Sequence, residues 1–293
     1  MQKWPLTIFT PTYNRAYILK SLYRSLVEQT NKNFCWIVVD DGSTDDTEQL
    51  VHSFINEGIV DIRYYKQTNG GKQRAQNLAV EYCDTELFYC VDSDDHLPID
   101  AVDSILKKWD AEPSSRELAG IIALRGSDEI TPLGSWLPEG VERSTVWDLY
   151  FKYHHKGDIA LIYRTDILRC YPYPVEPGEK FIAETYSSYL IDQKYKMALL
   201  QKVTWICKYL PDGYTHNARK ITRENPIGYM RIKRLYIELA SNVALRFEST
   251  VLFLVGAYFA GSYWKYWRTL PNKIEAGFAI LPSILLANTE FRR

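Results

Sequence analysis

The residues with the clearest chemical potential are three carboxylates in four positions, Asp92-Ser93-Asp94-Asp95, set directly after the apolar run Leu87-Phe88-Tyr89-Cys90-Val91. That run reads as an interior strand, closed on the far side by His96-Leu97-Pro98. Carboxylates crowded at the end of a buried strand repel one another and are tolerable when a cation or a positive partner sits among them. Hard oxygen ligands suit Mg²⁺ or Mn²⁺, ions that commonly hold the phosphates of a nucleotide. The plainer alternative is an acidic turn, with Asp95 or Asp100 capping the next helix.

Other residues upstream extend a nucleotide reading. Thr10-Pro11-Thr12-Tyr13 follow a short apolar strand, where backbone groups and the Tyr13 ring could hold a base. Asp41 follows a second apolar run and could accept from a base N–H, or serve as a turn or cap residue. Gly70-Gly71 permit close approach of the backbone, and Lys72 and Arg74 supply positive charge; an ordinary turn before a basic helix has the same letters. The chain contains neither a G-x-G-x-x-G fingerprint nor a Walker A motif, which weakens dehydrogenase and ATPase readings.

The elements that must position these residues alternate. Leu6–Phe9, Phe34–Val39, Val60–Tyr65 and Leu87–Val91 read as strands. Between them lie helical patterns carrying Leu19, Leu22 and Leu26, then Val51 and Phe54, then Ala75, Leu78 and Ala79. Alternation with short connections predicts an α/β fold with a parallel, doubly wound sheet, whose ligands bind beyond the carboxyl ends of the strands. Further on, a helix over 97–111, strands at Leu118–Leu124, Ile159–Tyr163 and Thr204–Lys208, and a helix over Phe181–Ile191 are expected. Residues 125–157 read as a loop-rich region.

The 293 residues allow one large domain, or a core with a helical appendage. A net charge of −1 gives no argument for a nucleic-acid partner. Five scattered cysteines argue against a disulfide framework, and Met1–Pro5 lead into a strand without the apolar core of a signal peptide, so cytoplasmic folding is expected. Beyond residue 225 the composition shifts: a helical pattern over Tyr229–Phe247, then an apolar run at 251–264 that is short for a span of ~20 residues. With Lys265, Arg268, Lys273, Arg292 and Arg293 around it, this region suits either a bilayer surface or packing on the catalytic part or another subunit, as in a homo-oligomer.

Four fragments in register carry a resemblance: Thr10-Pro11-Thr12-Tyr13-Asn14-Arg15, Val39-Asp40-Asp41-Gly42-Ser43, Asn69-Gly70-Gly71-Lys72 with Asn77, and Asp92-Ser93-Asp94-Asp95. The sequence resembles glycosyltransferase family 2, with the GT-A fold: a Rossmann-like, mostly parallel sheet flanked by helices. The resemblance covers roughly residues 5–100. It implies an inverting, metal-dependent enzyme that moves a sugar from a nucleotide donor, most often UDP-linked, to a glycan or lipid-linked acceptor in surface polysaccharide or glycolipid synthesis. By resemblance Tyr13 lies against uracil, Asp41 accepts from its imide, Asp92 holds the ribose or a metal-bound water, and Asp94 coordinates Mn²⁺ or Mg²⁺. It also implies a catalytic base at Glu184, with Thr185 standing where the family's paired Asp is expected and Glu179 and Asp95 in reserve. His216 would be a third metal ligand or a diphosphate contact, although a surface histidine fits as well.

The resulting expectation is a catalytic domain over 1–224, with a nucleotide half to about 100 and an acceptor half over 101–224, and a helical region over 225–293. Its expected location is the cytoplasm, with attachment to the inner face of the membrane as the alternative to subunit packing for the C-terminal helices. The competing functions are a GT-A-like scaffold that binds glycans or partners without turnover, and a nucleotidyltransferase. The latter needs a basic triphosphate loop where Thr10–Arg15 offers only Arg15.

Overall fold

The computed structural model describes residues 4–112, 117–207 and 218–291. The chain divides into two compact units: Met1–Pro172 with Ser187–Lys208, and Tyr173–Tyr186 with Tyr209–Arg293. The second unit therefore takes a segment, Tyr173–Tyr186, from the stretch assigned by sequence to the acceptor half.

The first unit opens with four β/α repeats. Strands β1 (Leu6–Thr12), β2 (Phe34–Asp40), β3 (Asp61–Lys66) and β4 (Leu87–Cys90) alternate with α1 (Leu19–Val27), α2 (Thr47–Glu57) and α3 (Lys72–Tyr82), and α4 (Ala101–Asp110) follows β4. Then come β5 (Leu118–Gly126), β6 (Arg143–Ser144), α5 (Val146–Phe151), β7 (Ile159–Arg164), α6 (Thr165–Arg169), α7 (Thr185–Ile191) and β8 (Lys196–Ile206). The strands form one sheet in the order β3-β2-β1-β4-β7-β5-β8-β6. The first four are parallel, as are β5 and β8; β7 runs antiparallel to β4 and β5, and β6 antiparallel to β8. Two reversals leave β4 and β5 pointing the same way, so both end on the edge that receives β1 and β2.

β1 and β2 are buried along nearly their whole length; β2 is accordingly an almost unbroken apolar run, while β1 interleaves its apolar residues with three threonines. On one face Leu6, Ile8, Trp36 and Val38 pack with Leu22, Leu26 and Phe54. The Tyr23 and Phe54 rings stack at 3.9 Å between centroids. On the other face the Thr7 and Thr85 hydroxyls meet the Cys83 thiol. One buried side chain anchors the acidic turn after β4. The Gln29 amide donates to Ser25 O and Pro98 O, and its carbonyl accepts from Val102 N. The end of α1 and the start of α4 are thereby tied together.

The second unit contains α8 (Ala218–Glu224), α9 (Pro226–Leu239), α10 (Val243–Phe259), α11 (Tyr263–Trp267), α12 (Lys273–Phe278) and α13 (Ile280–Thr289). Met230 and Ile237 of α9 pack with Phe253, Leu254 and Ala257 of α10. Gly256 permits the close crossing, since a Cβ there would lie 2.6 Å from Met230 Cγ. Two side chains hold the segment before α7 onto α9. Asn225 Oδ1 accepts from Lys180 N and Phe181 N, and the Glu179 carboxylate accepts from Ile227 N and Gly228 N at 2.7 Å each. Among the described residues no helix is long and apolar enough to cross a membrane.

Three expectations change. The helix expected from Phe181 begins at Thr185; the residues before it are held instead by Asn225, which accepts from Lys180 N and Phe181 N. The pattern over Tyr229–Phe247 is two helices, broken where Asn242 turns the chain and caps α10 through Leu245 N. Strand β8 starts at Lys196 rather than Thr204; its polar positions and register shifts against β5 hide the period. Replacing Gln29 with Leu removes three hydrogen bonds to backbone groups, of which Pro98 O keeps its bond from Ala101 N, and is expected to cost about 2 kcal/mol of stability, measured by urea denaturation.

Candidate functional site

The candidate residues converge on the carboxyl edge of the sheet, where the loops after β1, β2, β3 and β4 meet. Asp40 ends β2 fully buried; its carboxylate accepts from Ser43 N and from the Tyr64 hydroxyl at 2.7 Å each. The loops after β1 and β2 are laced together by Asn14 N donating to Ser43 Oγ and Thr44 N donating to Asn14 Oδ1, both at 2.8 Å. Asn14 has a left-handed backbone, with φ of 52°, which asparagine tolerates better than most residues.

Asp41 organises the turn after β3. Its Oδ1 accepts from Gly70 N and Gln67 Nε2 at 2.7 Å each, and its Oδ2 from Gly71 N at 2.8 Å and Asn69 Nδ2 at 3.2 Å. Gly71, at φ 93° and ψ 162°, occupies backbone space open essentially to glycine alone and starts α3. These four donors take up the acceptor positions of the carboxylate. The geometry thus makes Asp41 the turn organiser, and a base N–H can reach it by displacing the side-chain amide of Gln67 or Asn69.

Placing α3 places Lys72. Its ammonium is 9% exposed and lies 2.5 Å from Asp92 Oδ1. Arg15, from the loop after β1, lies 3.9 Å from Asp94 Oδ2. Burial pushes the Asp92 carboxyl up, but Lys72, Arg125 and Arg15 outweigh it and hold the group below the usual carboxylate range. Asp94 is displaced the other way, by burial first and then by the charge of Asp92. Asp95 is 5% exposed and accepts from the Trp205 indole N–H at 2.6 Å. The Arg125 guanidinium lies 3.6 Å from the centroid of the same Trp205 ring and donates from Nε to Ile159 O. Asp92 and Asp94 therefore sit among cations from three separate elements.

Several expectations meet the structure unequally. Tyr13 is 46% exposed just after β1, near a partly exposed Pro11. The Thr10 side chain is fully buried and its hydroxyl accepts from the Trp36 indole, which leaves its backbone as the part that can face a base. Arg74 is exposed and folds its side chain over Gly70, so that a Cβ there would meet Arg74 Nε at 2.5 Å. Glu184 is exposed in the turn before α7, in the second unit, with its backbone carbonyl accepting from the Tyr173 hydroxyl. Both reserve carboxylates are committed elsewhere, Glu179 to the N-terminus of α9 and Asp95 to Trp205. His216 lies outside the described residues. Sequence reasoning missed Arg125 and Trp205; the available signal was a lone arginine ending the apolar run Leu118–Leu124.

Among the described residues no group of three or more His, Cys, Asp and Glu side chains gathers to hold an ion. The hard oxygen pair Asp92 and Asp94 still fits a divalent cation that keeps part of its shell from substrate phosphates.

Comparison with known proteins is consistent with this chemistry. Residues 7–171 match the family model described as Glycosyl transferase family 2. A teichoic acid poly(glycerol phosphate) polymerase of Staphylococcus epidermidis is 32% identical over 105 residues, covering 36% of this chain and 15% of that protein. The poly(ribitol-phosphate) β-N-acetylglucosaminyltransferase TarS of Staphylococcus aureus is 32% identical over 93 residues, 31% of this chain and 16% of TarS. The matches thus span only a small part of these relatives' length. Among solved structures, a TarS fragment in complex with UDP-GlcNAc superposes with a TM-score of 0.61 at 17% identity, over 98% of this chain and 90% of that one. The mannosyltransferase PcManGT from Pyrobaculum calidifontis, in complex with GDP-Man and Mn²⁺, gives 0.57 at 16% identity, over 98% and 82%. At these identities the likeness is one of fold.

Asp41→Asn puts an NH₂ group against donors that now meet an oxygen. It is expected to lower stability by about 2–3 kcal/mol in urea denaturation; an unchanged midpoint would show that the glycine turn holds without the carboxylate.

Proposed function

Because the chain belongs to glycosyl transferase family 2 and has the GT-A fold, we propose that it transfers a sugar from a UDP-linked donor to a hydroxyl of a glycan or lipid-linked acceptor, with inversion at the anomeric carbon. Cell-surface polysaccharide or glycolipid synthesis is the setting, and peripheral attachment at the inner face of the membrane suits such acceptors. The observation that carries the reading is the charge arrangement after β4: Asp92 against Lys72 and Asp94 near Arg15, on the edge where the loops of β1 and β2 also end. A UDP-linked donor is supported by the solved TarS complexes with UDP-GlcNAc and with UDP.

In this reading the Tyr13 ring stacks on uracil, and the base N–H enters at Asp41 in exchange for a side-chain amide. Gly71 lets the backbone approach the donor. Lys72 and Arg15 offset negative charge on the diphosphate as the bond to the sugar lengthens, which is where preorganised charge speeds such a reaction. Asp92 and Asp94 would hold Mn²⁺ or Mg²⁺, which when bound supplies further neutralisation of the leaving UDP. Glu184 takes the proton of the acceptor hydroxyl while that oxygen attacks the anomeric carbon. The bond from anomeric carbon to phosphate oxygen breaks, its electron pair leaves with UDP, and attack from the opposite side inverts the centre. Glu184 is favoured as the base because it stands exposed in the turn just before α7.

The test is UDP release from a panel of UDP-sugars, led by UDP-GlcNAc, with Mn²⁺ and with chelator. Release with one donor that needs the metal and disappears in Asp94→Ala is expected. With an acceptor in hand, Glu184→Gln should lower transfer by about 10²–10⁴-fold while UDP affinity is retained. Full transfer by that variant would remove Glu184 as the base, and absence of any nucleotide binding by the parent would replace the transferase with a binding scaffold.

A further inference from the structure

Helices α12 and α13 continue into one another through Ala279. That residue keeps right-handed helical dihedrals, φ −77° and ψ −12°. Its N–H donates to Glu275 O at 3.0 Å, and Ser283 N donates to Ala279 O at 3.1 Å. The rod from Lys273 to Thr289 is amphipathic in an inverted sense. Its buried side carries Ala276, Ala279, Ser283 and Ala287. Its outward side carries Ile274, Phe278, Leu281 and Leu285, at spacings of four, three and four, and these are 76%, 73%, 67% and 55% exposed. A helix covering a water-soluble core turns its large apolar residues inward. Here the smallest residues face the protein and the largest face out, so the outward face is shaped for a covering.

Charge indicates which covering. Between Thr250 and Thr289 the sole carboxylate is Glu275. It is turned inward, accepting from Arg246 Nε at 2.9 Å and from the Thr250 hydroxyl at 3.0 Å. The exposed charges of this stretch are all positive, Lys265, Arg268 and Lys273, and the Trp264 indole is exposed beside them. A second copy presenting the same face would bring the same cations, and the one carboxylate at the end of α13, Glu290, is paired with Arg219 at 3.5 Å. A layer of anionic headgroups over hydrocarbon supplies both what the cations and what the apolar stripe lack. The exposed Trp suits the headgroup level.

We infer that the outward face of α12–α13, together with the exposed cations Lys265, Arg268 and Lys273 that precede and open it, is a docking surface for an anionic phospholipid bilayer. The helix lies in the plane of the headgroups. This deepens the peripheral attachment proposed above and rests on that reading for its location, whereas the surface itself stands on the helix geometry.

The experiment is flotation of the full chain with vesicles of phosphatidylcholine alone and of phosphatidylcholine mixed with phosphatidylglycerol, with UDP release measured alongside. The parent should float with the anionic vesicles. The double variant Phe278→Glu, Leu281→Glu should bind them more weakly by about tenfold or more, given the transfer energy of two such side chains. Lys265→Glu, Arg268→Glu leaves the apolar stripe intact and should erase the preference for anionic lipid. UDP release in solution should be the same in all three proteins, so a failed lipid result and a failed transferase reading are distinguishable. A parent that floats with neither vesicle, or equally with both, overturns the inference. So does a parent dimer that Phe278→Glu, Leu281→Glu converts to monomer, which would assign the face to a second copy.

Discussion

Two carboxylates near the end of a partly buried strand cannot both stay ionised without nearby positive charge, and much of the first unit is arranged to supply it. Lys72 arrives on α3, Arg15 on the loop after β1, and Arg125 on β5. None of the three is near Asp92 in sequence. The sheet order brings them together: β1 lies beside β4, and β5 follows β7 on the other side with its carboxyl end on the same edge. The antiparallel β7 is what permits this, because two reversals restore the original direction.

A second dependency sits beneath the first. Lys72 reaches Asp92 because α3 begins at Gly71, and Gly71 holds its position because its N–H and that of Gly70 point at Asp41. Charge-assisted bonds to backbone N–H groups are among the stronger polar contacts available to a protein. They also satisfy a carboxylate that is 6% exposed and would otherwise be costly. On the opposite flank, Trp205 bonds Asp95 while its ring face carries Arg125. The acidic turn is thus held from the side of the glycine turn by an aspartate and from the far half of the sheet by an indole.

The second unit follows different rules. Its segment before α7 is fastened to the start of α9 by Asn225 and Glu179, so a glutamate that looked available for chemistry is engaged by two backbone donors. Its final helices place alanine and serine inward and isoleucine, phenylalanine and leucine outward. Small residues against α10 let the helices approach closely, and the large ones are left for a surface outside the fold.

The sequence by itself determined the strand and helix alternation of residues 6–110, the family, and the clustering of nucleotide-type residues at strand ends. It could do so because β2 and β4 are buried and read as apolar runs, and because the turns after the strands use residues with narrow backbone or charge requirements. It left Asp41 undecided between a base contact and a turn, and it did not show that the Thr10 side chain points inward, since a threonine in a strand suits either face until a partner such as Trp36 is in place. Only the tertiary structure decided that Thr10 belongs to the interior, that Asp41 is saturated by the glycine turn, that Glu179 caps a helix, and that Arg125 and Trp205 attend the acidic turn. Each of those facts is a contact between residues far apart in the chain. Such contacts are fixed by packing and sheet order, which local periodicity does not encode.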